Sequence, residues 1–90
     1  MTATRVRVRI RGRVQGVFFR AEARARAESL GLAGWARNAE DGSVEAVFEG
    51  QEQRVESMVD WCRRGPAGAL VDELEVEREE PSGETGFRVR

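Results

Sequence analysis

Two glycines that lie four residues apart, Gly12 and Gly16, stand between an alternating segment and a helix-forming segment. A glycine-containing loop between a strand and a helix can turn several backbone N–H groups towards one point, where the helix dipole adds positive potential. The arginine at position 20 carries a planar guanidinium fork that matches two oxygens of a phosphate. The stretch from Gly12 to Arg20 therefore predicts an anion site, and specifically a phosphate cradle.

The same stretch also has a purely structural interpretation, as a glycine turn with an arginine at a helix start. An arginine at the positive end of a helix is mildly unfavourable, and no acidic residue of this loop neutralises Arg20. A bound anion would account for both facts. The stretch is not a Walker loop, because no Lys-Ser/Thr pair follows the glycines and no acidic magnesium ligand is placed nearby.

A second polar residue, Asn38, falls where a predicted strand meets the turn Ala39–Gly42. Its side chain could cap the hairpin as an Asx turn, or its carbonyl oxygen could hold a water molecule. Two strands joined by a helical crossover run in the same direction, so the segments that follow them lie at one edge of the sheet. We therefore expect Asn38 and Arg20 to lie near each other.

The composition excludes several kinds of chemistry. The 90 residues include no His and a single Cys, which removes the commonest general base and metal ligand and any disulfide within the chain. We therefore expect no metal and no cofactor. A net charge of −1 gives no overall field that would attract nucleic acid or a membrane surface. No apolar run approaches the roughly 20 residues of a membrane span, and we expect a cytoplasmic protein.

Apolar periodicity and helix-forming composition predict seven elements. Strands are expected at 4–11, 32–38, 43–49, 70–79 and 86–90, and helices at 19–30 and 51–64. This β-α-β-β-α-β order, followed by a short terminal strand, is typical of the ferredoxin-like split βαβ sandwich. That fold is an α+β class, with two helices on one face of an antiparallel sheet. Residues 1–90 are expected to form a single domain.

The outward charges of the strands predict their neighbours. The first strand presents only arginines, whereas the third and fourth strands present glutamates. Opposite charges side by side are favourable across a sheet, so a basic strand between two acidic ones is the preferred arrangement. As exposed pairs, these contacts would each contribute less than about 1 kcal/mol, and they would mainly set the register.

Two longer motifs resemble those of the acylphosphatase family, and the resemblance covers the whole chain. They are Gly12-x-Val14-Gln15-Gly16-Val17-x-Phe19-Arg20 and Gly34-Trp35-Ala36-Arg37-Asn38-x-x-x-Gly42-x-Val44. The resemblance implies hydrolysis of an acyl phosphate to a carboxylate and inorganic phosphate. It implies that Arg20 and the loop amides hold the phosphate while Asn38 orients the attacking water. The loop residues so assigned are Gly12, Arg13, Val14, Gln15, Gly16, Val17 and Phe18.

The chemistry is consistent with this small set of groups. An acyl phosphate expels a carboxylate, whose conjugate acid has a pKa of about 4, so its departure needs no general acid. A phosphate monoester expels an alkoxide and usually needs an acid or a metal. We therefore expect a metal-independent reaction on a small-molecule acyl phosphate. We also expect the protein to be a monomer. The proton of the water would pass to a phosphate oxygen, and Trp35 could line the acyl side.

Two other functions share this topology. RNA-recognition domains stack bases on aromatic side chains of the open sheet face, but this face offers arginine and glutamate. A non-catalytic anion-binding domain, such as the acylphosphatase-like segment of hydrogenase-maturation proteins, would bind phosphate without turnover. We expect a free-standing enzyme, with no nucleic-acid or membrane partner.

Overall fold

The computed structural model describes residues 3–90, and Met1 and Thr2 lie outside the described residues. The elements follow the predicted order, and no boundary differs from its predicted position by more than two residues. They are β1 (Thr4–Arg13), α1 (Phe19–Ser29), β2 (Ala33–Asn38), β3 (Val44–Gly50), α2 (Glu52–Arg64), β4 (Leu70–Glu79) and β5 (Phe87–Val89). Two helices cover one face of the sheet, so the predicted ferredoxin-like α+β class is confirmed.

The five strands lie in the order β4-β1-β3-β2-β5. The basic strand β1 therefore lies between the two acidic strands, as the charge pattern predicts. The sheet is antiparallel except at one edge, where β5, whose place the sequence left open, pairs in parallel with β2. This follows from the connection: β5 runs opposite to β4, the strand that precedes it, but residues 80–86 carry the chain across to the far edge.

The hydrophobic core lies between the sheet and the two helices. Alternate residues of β1 face this core, and α1 approaches the sheet closely because its inner side carries alanines. The rings of Phe19 and Trp61 pack edge to face with their centroids 5.4 Å apart, and this contact joins the two helices. The buried apolar side chains include Val6, Val8, Ile10, Phe19, Ala23, Ala27, Val55, Met58, Val59 and Cys62.

One apolar side chain on the helix side of the sheet is not buried. Val76 lies opposite the buried Val8, but it is 44% exposed. Its strand, β4, forms an edge of the sheet, and neither helix covers the edge fully. Among the described residues, neither α1 nor α2 has the length and apolar character that a membrane-spanning helix requires.

The other face of the sheet carries a layer of ion pairs that is less exposed than the alternation predicts. Glu45 is only 5% exposed and accepts hydrogen bonds from Arg7 Nη1 at 2.7 Å and from Arg37 Nε at 2.7 Å. Glu49 is also buried, and the amides of Ser82 and Gly83 donate to it at 3.1 and 2.8 Å. The chain between β4 and β5 thus folds over this face and shields its charges from water.

Acid should weaken the fold through this layer. Burial by itself would raise the pKa of Glu45, but the hydrogen bonds from Arg7 and Arg37 outweigh burial and hold its pKa below the ordinary value. A carboxylate whose pKa is depressed on folding contributes stability that is complete above its unfolded pKa of about 4.3. That contribution is lost as the pH falls through the folded pKa.

We expect Glu45→Gln to lower the free energy of unfolding by about 2 kcal/mol at pH 7, because Arg37 loses its charged acceptor and Arg7 keeps only Glu79. Urea denaturation between pH 7 and pH 3 should show a shallower loss of stability in the variant than in the wild type. Glu56→Gln, at an exposed position on α2, serves as the control and should follow the wild-type profile. If the stability of Glu45→Gln fell with pH as steeply as that of the wild type, Glu45 would not be a source of the acid sensitivity.

Candidate active site

Gly12 and Arg13 belong to β1 and not to the loop predicted from the sequence. The register of β1 with β4 shifts between Arg11 and Gly12, and Gly12 has a φ of +132°. A Cβ atom on Gly12 would lie 2.1 Å from the carbonyl oxygen of Leu70. A glycine is therefore required here by the close approach of β4, and the connection that can bind an anion is shortened to residues 14–18.

Within this shorter loop, the backbone conformation turns N–H groups away from regular pairing. Gly16 has φ of +75° and Phe18 has φ of +61°, both in the left-handed region. Across the part of the chain that the structure describes, the N–H groups of residues 15–18 donate no hydrogen bond. The helix α1 that follows begins without a side-chain cap. The loop and the helix start therefore present unpaired donors at the positive end of the helix dipole.

Gln15 ties this loop to the turn between β2 and β3. Its side-chain amide donates to the carbonyl oxygens of Ala39 and Ser43, each at 2.9 Å. The turn itself is held by Asp41, which accepts hydrogen bonds from the hydroxyl of Ser43 at 2.6 Å and from its amide at 3.0 Å. These bonds, together with the contact to Arg11, hold the pKa of Asp41 well below its usual range. Gln15 thus joins the loop to this turn, and it does not line the pocket.

Arg20 and Asn38 line the same pocket, as the crossover geometry leads one to expect. The pocket has a volume of about 520 Å³ and opens at the N-terminus of α1. Of the predicted loop residues, Val14, Gly16 and Phe18 line it, whereas Gly12, Arg13, Gln15 and Val17 do not. The remaining lining residues are Phe19, Ala21, Arg24 and Val89.

Asn38 ends β2 at the rim of this pocket. Among residues 3–90, no hydrogen bond joins its side chain to another residue, and the turn that follows is capped by Asp41 instead. The Asx-turn interpretation of Asn38 is therefore wrong. Its carboxamide remains available to a water molecule or a ligand in the pocket.

Arg20 is held at the pocket by Arg90, the residue that follows β5. Its Nη1 donates to the main-chain oxygen of Arg90 at 2.7 Å, and it makes no other side-chain hydrogen bond to the described residues. Sequence reasoning missed this contact because it did not place the last strand in the sheet. The same gap hid Val89, which lies on β5 beside Ala36 of β2.

The charge of the pocket is one-sided. Two arginines line it, Arg20 and Arg24, and none of its lining residues is acidic. The only acidic contact of Arg24 among residues 3–90 is an exposed pair with Glu28 at 3.3 Å, on the same helix. Positive side chains, unpaired amides and a helix N-terminus together favour an anionic ligand. Nowhere between residues 3 and 90 are three His, Cys, Asp or Glu side chains grouped to hold a metal ion.

Trp35 does not take part in the pocket, so the possibility that it lines the acyl side is wrong. Its ring lies on the charged face of the sheet, with the guanidinium carbons of Arg7 and Arg90 at 5.4 and 4.5 Å from its centroid. These are cation–π contacts. The tryptophan therefore belongs to the ion-pair layer opposite the helices.

The fold and this pocket define a small ferredoxin-like protein with a pocket at the start of its first helix that is lined by arginines and by no acidic residue. The family model for acylphosphatase matches residues 6–89. An acylphosphatase of Rubrobacter xylanophilus is 58% identical over 96% of this chain and 79% of its own length. One of Gloeobacter violaceus is 52% identical over 98% of this chain and 95% of its own.

A comparison with solved structures indicates the same family. The structure of an acylphosphatase from Coxiella burnetii superposes on this chain with a TM-score of 0.94 at 38% sequence identity, covering 98% of this chain and 93% of that one. The chain belongs to the acylphosphatase family, hydrolases that act on acyl phosphates. The family and the enzyme class predicted from the sequence are confirmed.

Proposed function

We propose that this protein hydrolyses the carboxyl–phosphate bond of small acyl phosphates, with Arg20 and the loop amides binding the phosphate and Asn38 orienting water. One observation carries the proposal: in a member of the acylphosphatase family, Arg20, Asn38 and the loop with unpaired amides border one pocket. The phosphate contacts are assigned to residues 14–18. Gly12 and Arg13, which the resemblance also assigns to phosphate binding, act by fixing the end of β1.

The phosphoryl group is stabilised electrostatically in this mechanism. Its transition state spreads negative charge over the equatorial oxygens, and preorganised N–H donors are worth most where such charge develops. The amides of the loop and the Arg20 guanidinium are donors of this kind. Because the Arg20 side chain is already held by the main chain of Arg90, little reorganisation is needed when the phosphate binds.

The attacking water is oriented by the free carboxamide of Asn38. Its oxygen bonds to phosphorus as the bond from phosphorus to the acyl oxygen breaks, and the carboxylate leaves with that electron pair. The water proton passes to a phosphate oxygen, since no His, Asp or Glu lines the pocket. The carboxylate is a good leaving group, which is why we propose that neither a general acid nor a metal is required.

Hydrolysis of benzoyl phosphate tests this function. We expect the wild-type protein to release benzoate and inorganic phosphate in equal amounts, at a rate that EDTA does not change. Phosphate binding in the absence of any turnover would instead indicate a non-catalytic anion-binding domain. A rate that the chelator abolishes and zinc or magnesium restores would contradict the metal-independent mechanism. The cytoplasmic location and the monomeric state stay predictions.

A further inference from the structure

The geometry points to an apolar acyl subsite, formed by Phe18 and Val89, that makes this enzyme favour acyl phosphates with an aromatic or branched apolar acyl group. The inference rests on the proposed function and concerns the half of the substrate that the phosphate contacts do not touch. It assigns a role to a side chain, that of Phe18, for which the sequence suggested only a backbone contact.

The pocket is larger than its proposed phosphate contacts require. Its volume of about 520 Å³ lies within the range of sites that enclose whole organic ligands, and a phosphoryl group fills only a small part of it. Arg20 and Asn38 supply polar groups, whereas Phe18 and Val89 line the same space with apolar ones. A substrate with a charged phosphoryl group and an apolar acyl group has this same division.

The backbone conformation and the exposure of Phe18 are both energetically unfavourable in the absence of a ligand that covers its ring. It is the one residue other than glycine with positive φ among the described residues, and its side chain is 79% exposed. An aromatic residue at such a position costs backbone strain and leaves an apolar ring in water. Strain of this kind is characteristic of sites where the side chain is held for a ligand.

Val89 is held beside the phosphate end of the pocket. It pairs with Ala36 on β2, and the next residue, Arg90, accepts the hydrogen bond from Arg20. Its side chain is 39% exposed although its strand packs against α1. An acyl group bonded to a phosphoryl group at Arg20 therefore has apolar surface available on both the α1 side and the β5 side.

The preference is measured as a ratio: kcat/KM for benzoyl phosphate divided by kcat/KM for acetyl phosphate. The chemical reactivities of the two substrates are the same in every variant, so they cancel when ratios are compared. Phe18→Asn removes the ring, and asparagine tolerates positive φ better than most residues. We expect the ratio to fall about tenfold in Phe18→Asn and several-fold in Val89→Asn.

Val76→Asn is the matched control, because Val76 is also a strand valine, is 44% exposed, and lies outside the pocket. Its ratio should equal that of the wild type. Circular dichroism and thermal unfolding establish that each variant is folded, and Val89→Asn carries the test if Phe18→Asn does not fold.

Two results would overturn the subsite. The ratio could stay within twofold of the wild type in both pocket variants, and if both substrates slowed by the same factor, the role of Phe18 would be limited to shaping the loop. The wild type could also prefer succinyl phosphate to benzoyl phosphate and lose that preference in Arg24→Gln, which would assign the acyl end to Arg24. If the wild type hydrolyses none of these substrates, the proposed function fails and the subsite fails with it.

Discussion

Replacing Arg20 with lysine should lower kcat/KM for benzoyl phosphate by about 10²–10³-fold, the usual loss when one donor to a developing oxyanion is removed. Lysine keeps the charge but presents a single ammonium in place of a planar fork. It also cannot both reach the main-chain oxygen of Arg90 and donate in parallel to two phosphate oxygens. The variant should bind inorganic phosphate more weakly as well, which inhibition by the product measures.

Arg54→Lys is the matched control for this experiment. Arg54 donates to the main-chain oxygen of Leu30 at 3.2 Å, a contact of the same kind as that of Arg20 but outside the pocket. Its replacement should leave both kcat/KM and phosphate inhibition at wild-type values. An Arg20→Lys variant that stays folded and retains activity within about fivefold of the wild type would show that the phosphate is bound elsewhere.

The fold was predictable because its strongest signals are local. The alternation of β1 sets which side of the strand is buried, and its arginines select two acidic neighbours. The position of β5 has no such signal. A three-residue strand has too few side chains to specify a partner, and its place depends on the route of residues 80–86 over the charged face. The exposure of Val76 likewise depends on where the sheet ends.

The candidate site also contains residues that the sequence predicts and residues that it does not. Arg20 and Asn38 were predictable because the direction of β1 and β2 follows from the helix between them. Arg24, Val89 and the oxygen of Arg90 were not, because they reach the pocket through the position of β5 and through the direction in which α1 leaves the loop. Gly12 shows a different limit. A glycine motif reports that a backbone position is special, but not whether the cause is a ligand or the neighbouring strand β4.

Asn38 gives the second large effect, and it should differ in kind from that of Arg20. Its carboxamide has no hydrogen-bond partner among the described residues, and we have assigned it to the water and not to the phosphate. Asn38→Ala should therefore lower kcat by about 10²–10³-fold while the inhibition constant of inorganic phosphate changes little. Loss of an interaction made only in the transition state lowers kcat and kcat/KM together.

Asn38→Asp distinguishes the proposed role of Asn38 in orienting water from an effect of side-chain size alone. Aspartate keeps the size of the side chain but places a negative charge beside a phosphoryl group, so it should weaken phosphate binding, which the alanine variant does not. The expected pattern is therefore a kcat defect alone in Asn38→Ala and a combined kcat and KM defect in Asn38→Asp. If alanine raises the phosphate inhibition constant as much as Arg20→Lys does, Asn38 is a phosphate ligand. The pocket would then hold its nucleophilic water through the loop amides instead.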